Sequence, residues 1–240
     1  MMRLDRFLCE VHMGSWSQVK EWIKKGMVQA DGLTVRRPEY KVDEENTQIT
    51  FQGRLLSFSK FAYYVLNKPA GMVTSNRDPR SPVVMELLKD VPQKDLFPVG
   101  RLDKDAEGLL LITNDGELAH RLLAPKSHVP KTYFLRLKEA FTKGQEKRLS
   151  EGVDIGEKKL CLPAETKLIS EQEIFITVWE GKFHQVKRMM KAAGNEVLFL
   201  KRVAFGSLAL DETLASGAYR PLTDEEINQL KKDADYDVGK

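Results

Sequence analysis

The chain has 240 residues, of which 42% are hydrophobic and 30% are charged, which is ordinary for a globular protein. Its net charge of +3 is too small to indicate a nucleic-acid partner by itself, and no apolar stretch approaches the roughly 20 residues that span a bilayer. Arg3, Asp5 and Arg6 lie where a signal peptide needs its apolar core, and the two cysteines are too widely spaced for a disulfide framework or a zinc site. We therefore expect a cytoplasmic protein without a membrane partner.

Residues 1–59 are predicted to form a small α/β domain. Apolar residues from Leu4 to Val11 recur at helical spacing, Gly14 and Ser15 end that helix, and a second amphipathic helix runs on to Met27. The Asp-Gly pair at 31–32, between alternating residues, predicts a hairpin of strands 28–30 and 33–35. One further strand is expected near 49–55.

Basic residues of the second helix and of the strand end after it could share one surface; they are Lys20, Lys24, Lys25, Arg36 and Arg37. A charge run is usually a solvated face, but a surface that combines charges from two elements is what phosphate neutralisation requires. The sequence resembles the small RNA-binding domain of the S-four type, which is shared with a ribosomal protein of the small subunit. The resemblance rests on Arg-Leu-Asp at 3–5, Gly-Ser at 14–15, the pattern of the second helix and the Asp-Gly hairpin.

This first resemblance implies RNA contacts from Arg3, Arg6 and Ser15 as well as from the five basic residues just named. The family often has Ser-Arg where this chain has Ser15-Trp16, which removes one expected phosphate contact. Trp16 can then act as a stacking group or as a packing residue, and we favour packing.

Residues 60–232 are predicted to form a larger second domain, followed by a polar tail at 233–240. Strands and helices in irregular order predict an α+β fold with a mixed, mostly antiparallel sheet and flanking helices. Strands are expected at 63–66, 109–112, 131–137, 158–163, 167–169, 173–179, 197–203 and 217–222, and helices at 83–88, 117–123, 141–149, after the turn at 181, and at 224–232.

A polar loop with Arg101, Asp103, Asp105 and Glu107 stands directly before the apolar run 109–112. Such a run, bounded by turn residues, predicts a buried strand that would hold the loop in place. The carboxylates do not match a calcium loop, because its twelfth position, where a glutamate is needed, is Asn114. A glycosidase with paired carboxylates remains open.

No metal or cofactor is predicted. The four histidines lack metal-ligand spacing, and the chain has no P-loop, dinucleotide-binding fingerprint or nucleophile elbow. The glycine turn at 181 leads into a basic helix that carries His184, Gln185, Lys187, Arg188 and Lys191. A solvated face explains Lys191, whereas Lys187 would keep an aspartate ionised if the helix start faces the loop of Asp103.

Four motifs in this order resemble the pseudouridine synthases of ribosomal RNA. They are Asn-Lys-Pro-Ala-Gly at 67–71, Gly-Arg-Leu-Asp at 100–103, Lys-Thr-Tyr at 131–133 and Gly-x-x-His-Gln-Val-Lys-Arg-Met at 181–189. The nearest branch is the one that modifies the small ribosomal subunit and carries an N-terminal S-four type domain. The resemblance covers residues 2–232.

The resemblance implies a role for each matching residue. Asp103 matches the catalytic aspartate, Tyr133 the tyrosine that packs on uracil, and Lys187 the basic partner of the aspartate. Substrate contacts are expected from Arg101, Leu200, Asn67, Lys68 and Gln185, with Asn67 and Lys68 shaping the cleft floor, and RNA contacts from His184 and Arg188. The reaction needs no redox step and no energy input, which fits the lack of cofactor motifs.

The expected partner is therefore ribosomal RNA of the small subunit, within an assembly particle, and the chain is expected to be a monomer. Two alternatives stay open at this point. Relatives directed to the large subunit share most of these motifs, and the basic N-terminal surface alone would also suit a non-catalytic RNA-binding protein of ribosome assembly.

Overall fold

The computed structural model describes residues 1–11, 13–44, 46–56, 61–91 and 95–236. The chain forms two compact units, Met1–Phe61 and Ala62–Lys240. The predicted boundary after residue 59 falls within residues 57–60, outside the described residues. Among the residues described, none of the helices combines the length and the apolar character needed to cross a membrane.

The first unit buries its apolar residues between two short helices and its strands. The elements are β1 (Met2–Arg3), α1 (Leu4–Glu10), α2 (Trp16–Lys24), β2 (Val28–Ala30), β3 (Leu33–Val35), β4 (Lys41–Val42), β5 (Ile49–Phe51) and β6 (Arg54–Leu56). One sheet has the order β3-β2-β5-β6, and β1 pairs with β4. Fully buried side chains come from both helices and the sheet, including Phe7, Ile23, Val28 and Ile49.

Local sequence signals explain the turns of this unit. The Ser15 hydroxyl accepts a hydrogen bond from the Gln18 amide, and the Gln18 side chain accepts one from the Ser15 amide, which forms a capping box at the start of α2. The predicted Asp-Gly hairpin joins β2 and β3. The single strand expected near 49–55 is in fact a second hairpin, because Gln52 and Gly53 take positive φ (49° and 80°) and reverse the chain.

The second unit contains most of the chain. Its elements are β7 (Tyr63–Lys68), β8 (Phe97–Pro98), β9 (Glu107–Thr113), α3 (Gly116–Leu123), β10 (Lys131–Leu137), α4 (Lys143–Glu151), β11 (Glu165–Ser170), β12 (Glu173–Val178), α5 (Gln185–Ala192), β13 (Val197–Phe205), β14 (Leu208–Ala209), β15 (Tyr219–Pro221) and α6 (Asp224–Asp233), with 3-10 helices at Val84–Leu88 and Pro125–Ser127. Each helix named here lies within two residues of a predicted one, apart from the Pro125–Ser127 turn.

Within the described residues the sheet of this unit has nine strands, in the main order β11-β12-β10-β13-β9-β7-β15, with β14 on β13 and β8 on β9. Every pairing is antiparallel except that of β9 with β13, which is parallel. The predicted α+β class with a mixed, mostly antiparallel sheet is confirmed.

Strand β9 crosses the middle of this sheet and is buried on both faces. Leu109, Leu110, Leu111 and Ile112 have no exposed surface. Successive side chains of a strand point to opposite faces, so a continuous apolar run is what a strand covered on both sides requires. The strand therefore provides a rigid base for the loop that precedes it.

Two predicted features of the second unit differ in the structure. Residues 158–163 form no strand: Leu160 and Leu162 are exposed, whereas Cys161 is buried and its amide donates to the Val153 carbonyl just after α4. The predicted polar tail at 233–240 is partly packed, since the Arg121 guanidinium lies 5.2 Å from the ring centre of Tyr236. Residues 237–240 lie outside the described part.

Candidate active site

The loop at 100–106, directly before β9, is fixed from the side by the segment that follows β7. The Thr74 hydroxyl is buried; it donates a hydrogen bond to the Leu102 carbonyl (2.8 Å) and accepts one from the Leu102 amide (3.1 Å). The Gly71 amide donates to the Lys104 carbonyl at 2.7 Å. These bonds hold the backbone on either side of residue 103.

Lys68 holds the same loop from below. Its side chain has no exposed surface, and its ammonium donates to the carbonyl oxygens of Ala106 (2.7 Å), Pro69 (3.0 Å) and Lys104 (3.3 Å). Burial lowers the pKa of Lys68 to about 8, while nearby carboxylates, Asp105 foremost, favour the charged form. Three carbonyl acceptors also favour the ammonium, so Lys68 is charged at neutral pH and ties the loop together.

Two basic side chains flank Asp103, which is partly exposed. His184 Nε2 lies 3.4 Å from Asp103 Oδ1, and Lys187 Nζ lies 3.4 Å from Asp103 Oδ2. The shorter contacts of Lys187 go to Asp105, at 2.6 and 2.7 Å from the two carboxylate oxygens. The hydrogen bond and charge of Lys187 lower the pKa of Asp105, so Asp105 is ionised at neutral pH.

The start of α5 presents an aromatic pair beside this carboxylate. His184 precedes the helix in the left-handed conformation (φ 48°), and its ring stacks on Phe183 with 3.8 Å between ring centres and an angle of 20°. Phe183 is 73% exposed. An exposed ring of this kind is a surface on which a nucleic-acid base can stack.

A cleft opens between the loop of Asp103, the start of α5 and strands β10 and β13. Its empty volume is about 480 Å³, including space open to solvent, and Tyr133 and Leu200 line its sheet side. The predicted residues that line it are Arg101, Asp103, Tyr133, His184, Gln185, Lys187 and Leu200. The cleft thus brings together a carboxylate flanked by two basic side chains, an aromatic ring and an aliphatic side chain. It is large enough to hold a nucleobase.

Comparison with known proteins identifies this arrangement. Residues 62–192 match the family described as RNA pseudouridylate synthase, and residues 2–49 match the S4 domain. The chain belongs to the RNA pseudouridylate synthase family. It is therefore an isomerase that acts on RNA, and membership favours isomerisation over the glycosidase and binding-only alternatives.

Several pseudouridine synthases resemble this chain over nearly their whole length. An uncharacterised RNA pseudouridine synthase of Bacillus subtilis is 42% identical over 236 residues, which cover 96% of this chain and 99% of the relative. The ribosomal small subunit pseudouridine synthase A of Vibrio cholerae is 39% identical, covering 96% and 100%. A crystal structure of a pseudouridylate synthase superimposes with a TM-score of 0.68 at 36% identity, covering 96% and 100%.

Two residues expected to contact substrate lie beneath the cleft instead. Asn67 is buried, and its side-chain amide donates to the Leu214 carbonyl at 2.8 Å. Lys68 is buried on the three carbonyls described above. Neither side chain reaches the cleft surface, so both shape the site through the backbone and not by touching a ligand.

The side chains of Gln185 and Arg188 are engaged by the protein itself. Gln185 is buried; its amide nitrogen donates to Glu180 at 2.9 Å, and its oxygen accepts from the Lys182 amide at 2.9 Å. Arg188 donates to Glu157 at 2.9 Å and to the carbonyls of Phe183 and Ile155. These bonds fix the turn before α5 and leave little capacity for the substrate contact expected of Gln185 and the RNA contact expected of Arg188.

In the first unit the helix end and the strand end do approach one another. The Arg36 guanidinium donates to the Lys24 carbonyl at 3.1 Å, so these two residues share one surface. Lys24, Lys25, Arg36 and Arg37 are exposed, and Lys25 pairs with Glu21 on its own helix.

Other residues expected to contact RNA have structural partners. Arg3 forms a two-bond pair with the buried Asp5, and Arg6 lies 3.4 Å from Glu10. The Ser15 hydroxyl is occupied by its helix cap. Trp16, for which we favour packing, is 45% exposed, and Lys20 Nζ lies 5.2 Å from the centre of its ring.

The roles of three residues of the site were not identified from the sequence. Asp105 has no role in the matching motifs, yet it is the nearest partner of Lys187. Thr74 and Phe183 carried no signal in a motif. An exposed aromatic residue beside a basic helix start could have pointed to Phe183, whereas Thr74 depends on a contact across 28 residues.

Proposed function

We propose that this chain converts uridine to pseudouridine in the RNA of the small ribosomal subunit, with Asp103 as the catalytic residue. The observation that carries the assignment of Asp103 is its place between His184 and Lys187 in the cleft lined by Tyr133 and Leu200. The small subunit is favoured by the similarity, over the whole chain, to proteins named as synthases of that subunit.

The chemistry suits these residue types. Isomerisation breaks the bond between the ribose and N1 of uracil, turns the base and joins C5 to the ribose; C5 gives up its proton and N1 takes one up, so the formula is unchanged. An ionised Asp103 attacks the sugar or removes a proton from it, Lys187 balances its charge, and Tyr133 packs on the base. A uridine in folded RNA must first leave its stack, at a cost of a few kcal/mol.

RNA contacts elsewhere offset that cost. The S4 domain presents the exposed residues Lys24, Lys25, Arg36 and Arg37, which neutralise phosphates without reading sequence. We assign residues 1–59 to RNA binding and 60–232 to catalysis, with an assembly particle as the substrate in the cytoplasm and a monomer as the active form.

The test maps pseudouridine in unmodified RNA after incubation with the purified chain. Three substrates separate the alternatives: free small-subunit RNA, the small-subunit assembly particle, and large-subunit RNA. We expect one modified uridine in a small-subunit substrate, and modification of the large-subunit RNA alone would overturn the subunit assignment.

Two isosteric variants test the catalytic residue. Asp103→Asn should lower the rate by at least about 10²–10⁴-fold, because it removes the reacting carboxylate. Asp105→Asn removes the same charge from the neighbourhood of Lys187 and should keep most of the activity. Turnover by Asp103→Asn at the wild-type rate would end the assignment, and loss only in Asp105→Asn would transfer the role to that residue.

A further inference from the structure

Two cations are buried at one end of the cleft without a carboxylate partner. Lys131 is 8% exposed and Arg202 is 3% exposed, and both line a second pocket that adjoins the first and shares Asp103 and Tyr133 with it. Within the described residues, neither side chain forms a salt bridge. Burying an uncompensated cation costs several kcal/mol even after relaxation, so this pair needs an explanation.

The protein satisfies these cations only in part. The Lys131 ammonium donates to the Val129 carbonyl (2.7 Å), and Arg202 Nε donates to the Leu109 carbonyl (2.8 Å). Arg202 Nη2 is buried and has no hydrogen-bond partner among the described residues. The Phe205 ring lies 5.5 Å from Lys131 Nζ and 5.3 Å from Arg202 Cζ, but a cation–π contact offsets only a small part of the cost of burying a charge.

An irregularity of the sheet places Arg202 on the side of the cleft. Lys131 pairs with Phe205 and Thr132 with Ala204, yet Tyr133 pairs with Arg202, so the register skips one residue of β13. A β-bulge of this kind re-aims a side chain, and bulges are frequent beside active sites. Arg202 is thereby the cross-strand neighbour of Tyr133, the residue that we place on the uracil.

Lys131 is on the same face of β10 as Tyr133. Residues two apart on a strand share a face and lie roughly 6.6 Å apart. That is the reach from a base bound at Tyr133 to the backbone of the adjoining nucleotide. An anion at this end of the cleft would meet both cations and supply the acceptor that Arg202 Nη2 lacks.

We propose that Lys131 and Arg202 bind a phosphodiester of the RNA strand next to the uridine held at Asp103, an inference that rests on the proposed function. Phosphate oxygens accept several hydrogen bonds and carry the negative charge that the two cations lack. The other charged groups that line the two pockets are Arg101, Asp103, Lys104, Glu180, Lys182, His184 and Lys187. Glu180 is held by Lys182 and Gln185, so the carboxylate left facing the cleft is that of Asp103.

The test measures the affinity of the full chain for a short RNA that has a single uridine among cytidines. Each phosphodiester near the uridine is replaced in turn by a neutral methylphosphonate. We expect one linkage next to the uridine to weaken binding by about tenfold or more, as the removal of a charge-assisted hydrogen bond does. Linkages farther away should have smaller effects.

A variant of Lys131 tests whether this residue binds the charged linkage. Lys131→Met should shrink the effect of the methylphosphonate to the part that Arg202 alone contributes. Lys126→Met, which removes one exposed lysine of the same unit outside both pockets, should keep the full effect. Retention of the full effect in Lys131→Met would overturn the proposal.

The pH dependence gives a second measurement on the unaltered chain, which stands even if Lys131→Met fails to fold. Burial and the charge of Arg202 lower the pKa of Lys131 to about 8. The ammonium is therefore charged at pH 7 and largely neutral at pH 9, so the effect of the sensitive linkage should shrink between these values. A linkage effect that is independent of pH, or no sensitive linkage at all, would overturn the proposal.

The binding measurement does not depend on turnover. If ribosomal RNA is isomerised but no linkage is sensitive, only the phosphodiester site fails. If a linkage is sensitive and no pseudouridine forms in small-subunit RNA, the proposed substrate fails and the anion site stands.

Discussion

At the residue scale, Lys187 is shared between two carboxylates. Its ammonium lies 2.6 Å from Asp105 Oδ1 and 3.4 Å from Asp103 Oδ2. A lysine is a point charge on a flexible stem, without the fixed fork of an arginine, so it can move from one oxygen to another at little cost. Asp105 is therefore the nearer partner of Lys187, and under the proposed function the carboxylate of Asp103 is left to act on the ribose.

Lys68 gives a prediction about the loop that carries Asp103. Lys68→Met leaves the carbonyls of Ala106 and Lys104 without their common donor, and each missing bond frees backbone on one side of the carboxylate. Because a small displacement of a reacting group is costly in rate, we expect the maximal rate to fall about 10²-fold. Single-turnover kinetics at saturating RNA measures this.

The affinity for RNA should stay unchanged in that variant, since Lys68 has no exposed surface. Lys89→Met, which removes an exposed lysine of the same unit, serves as the control for the removal of one charge. An unchanged maximal rate in Lys68→Met would show that the loop is fixed without its ammonium.

Much of the site was predictable because short motifs carry it. Arg101, Asp103, Tyr133, Lys187 and Leu200 all line the cleft, as the resemblance implied. What the motifs could not give were the partners of each side chain. Gln185 and Arg188 are taken up by local carbonyl and carboxylate groups, and such bonds depend on turns whose shape the sequence does not specify.

At the element scale, the parallel pairing of β9 with β13 depends on Gly108. Gly108 lies opposite Arg202 with φ of 101°, and an added Cβ would collide with the Arg202 carbonyl and lie 2.9 Å from its nitrogen. Gly108→Ala should therefore lower the free energy of unfolding by about 3 kcal/mol or more, through strain and overpacking. Urea denaturation measures the decrease.

Gly116→Ala is the matched control. Gly116 begins α3, and a Cβ there would meet nothing within 4 Å. It should be neutral or raise the free energy of unfolding by about 0.4–1 kcal/mol, since alanine restricts the unfolded chain. Equal stability of the two variants would mean that β9 and β13 can separate without cost.

The elements were more predictable than their arrangement. Strand β10 and the Asp-Gly hairpin have the predicted bounds, because alternation and turn chemistry act between neighbouring residues. The pairing of β9 with β13 joins Gly108 to Arg202, two segments far apart in the chain, which no local pattern reveals. Residues 158–163 were wrongly predicted as a strand, because the apolar run Leu160–Leu162 pairs with no strand among the described residues.

At the scale of the whole molecule, the position of charge matters more than its sum. The net charge is only +3, yet the exposed residues Lys24 and Arg36 share one surface of the S4 domain, where the Arg36 guanidinium donates to the Lys24 carbonyl. If this surface binds phosphate, its lysines and arginines release counterions from RNA, and affinity must fall with salt. The number of phosphates neutralised is then measurable as a slope.

Removing two of these charges gives the corresponding prediction. The double variant Lys24→Gln and Arg37→Gln should reduce the slope of log affinity against log salt by about 0.7 for each phosphate that is no longer neutralised. A matched pair, Lys143→Gln and Lys147→Gln in α4, makes the same change of net charge on exposed residues of the other unit. Because counterion release depends on the phosphates neutralised and not on net charge, only the first pair should change the slope. Equal changes in both would assign the salt dependence to the overall field of the protein, and no change in either would remove the basic surface of the S4 domain from RNA binding.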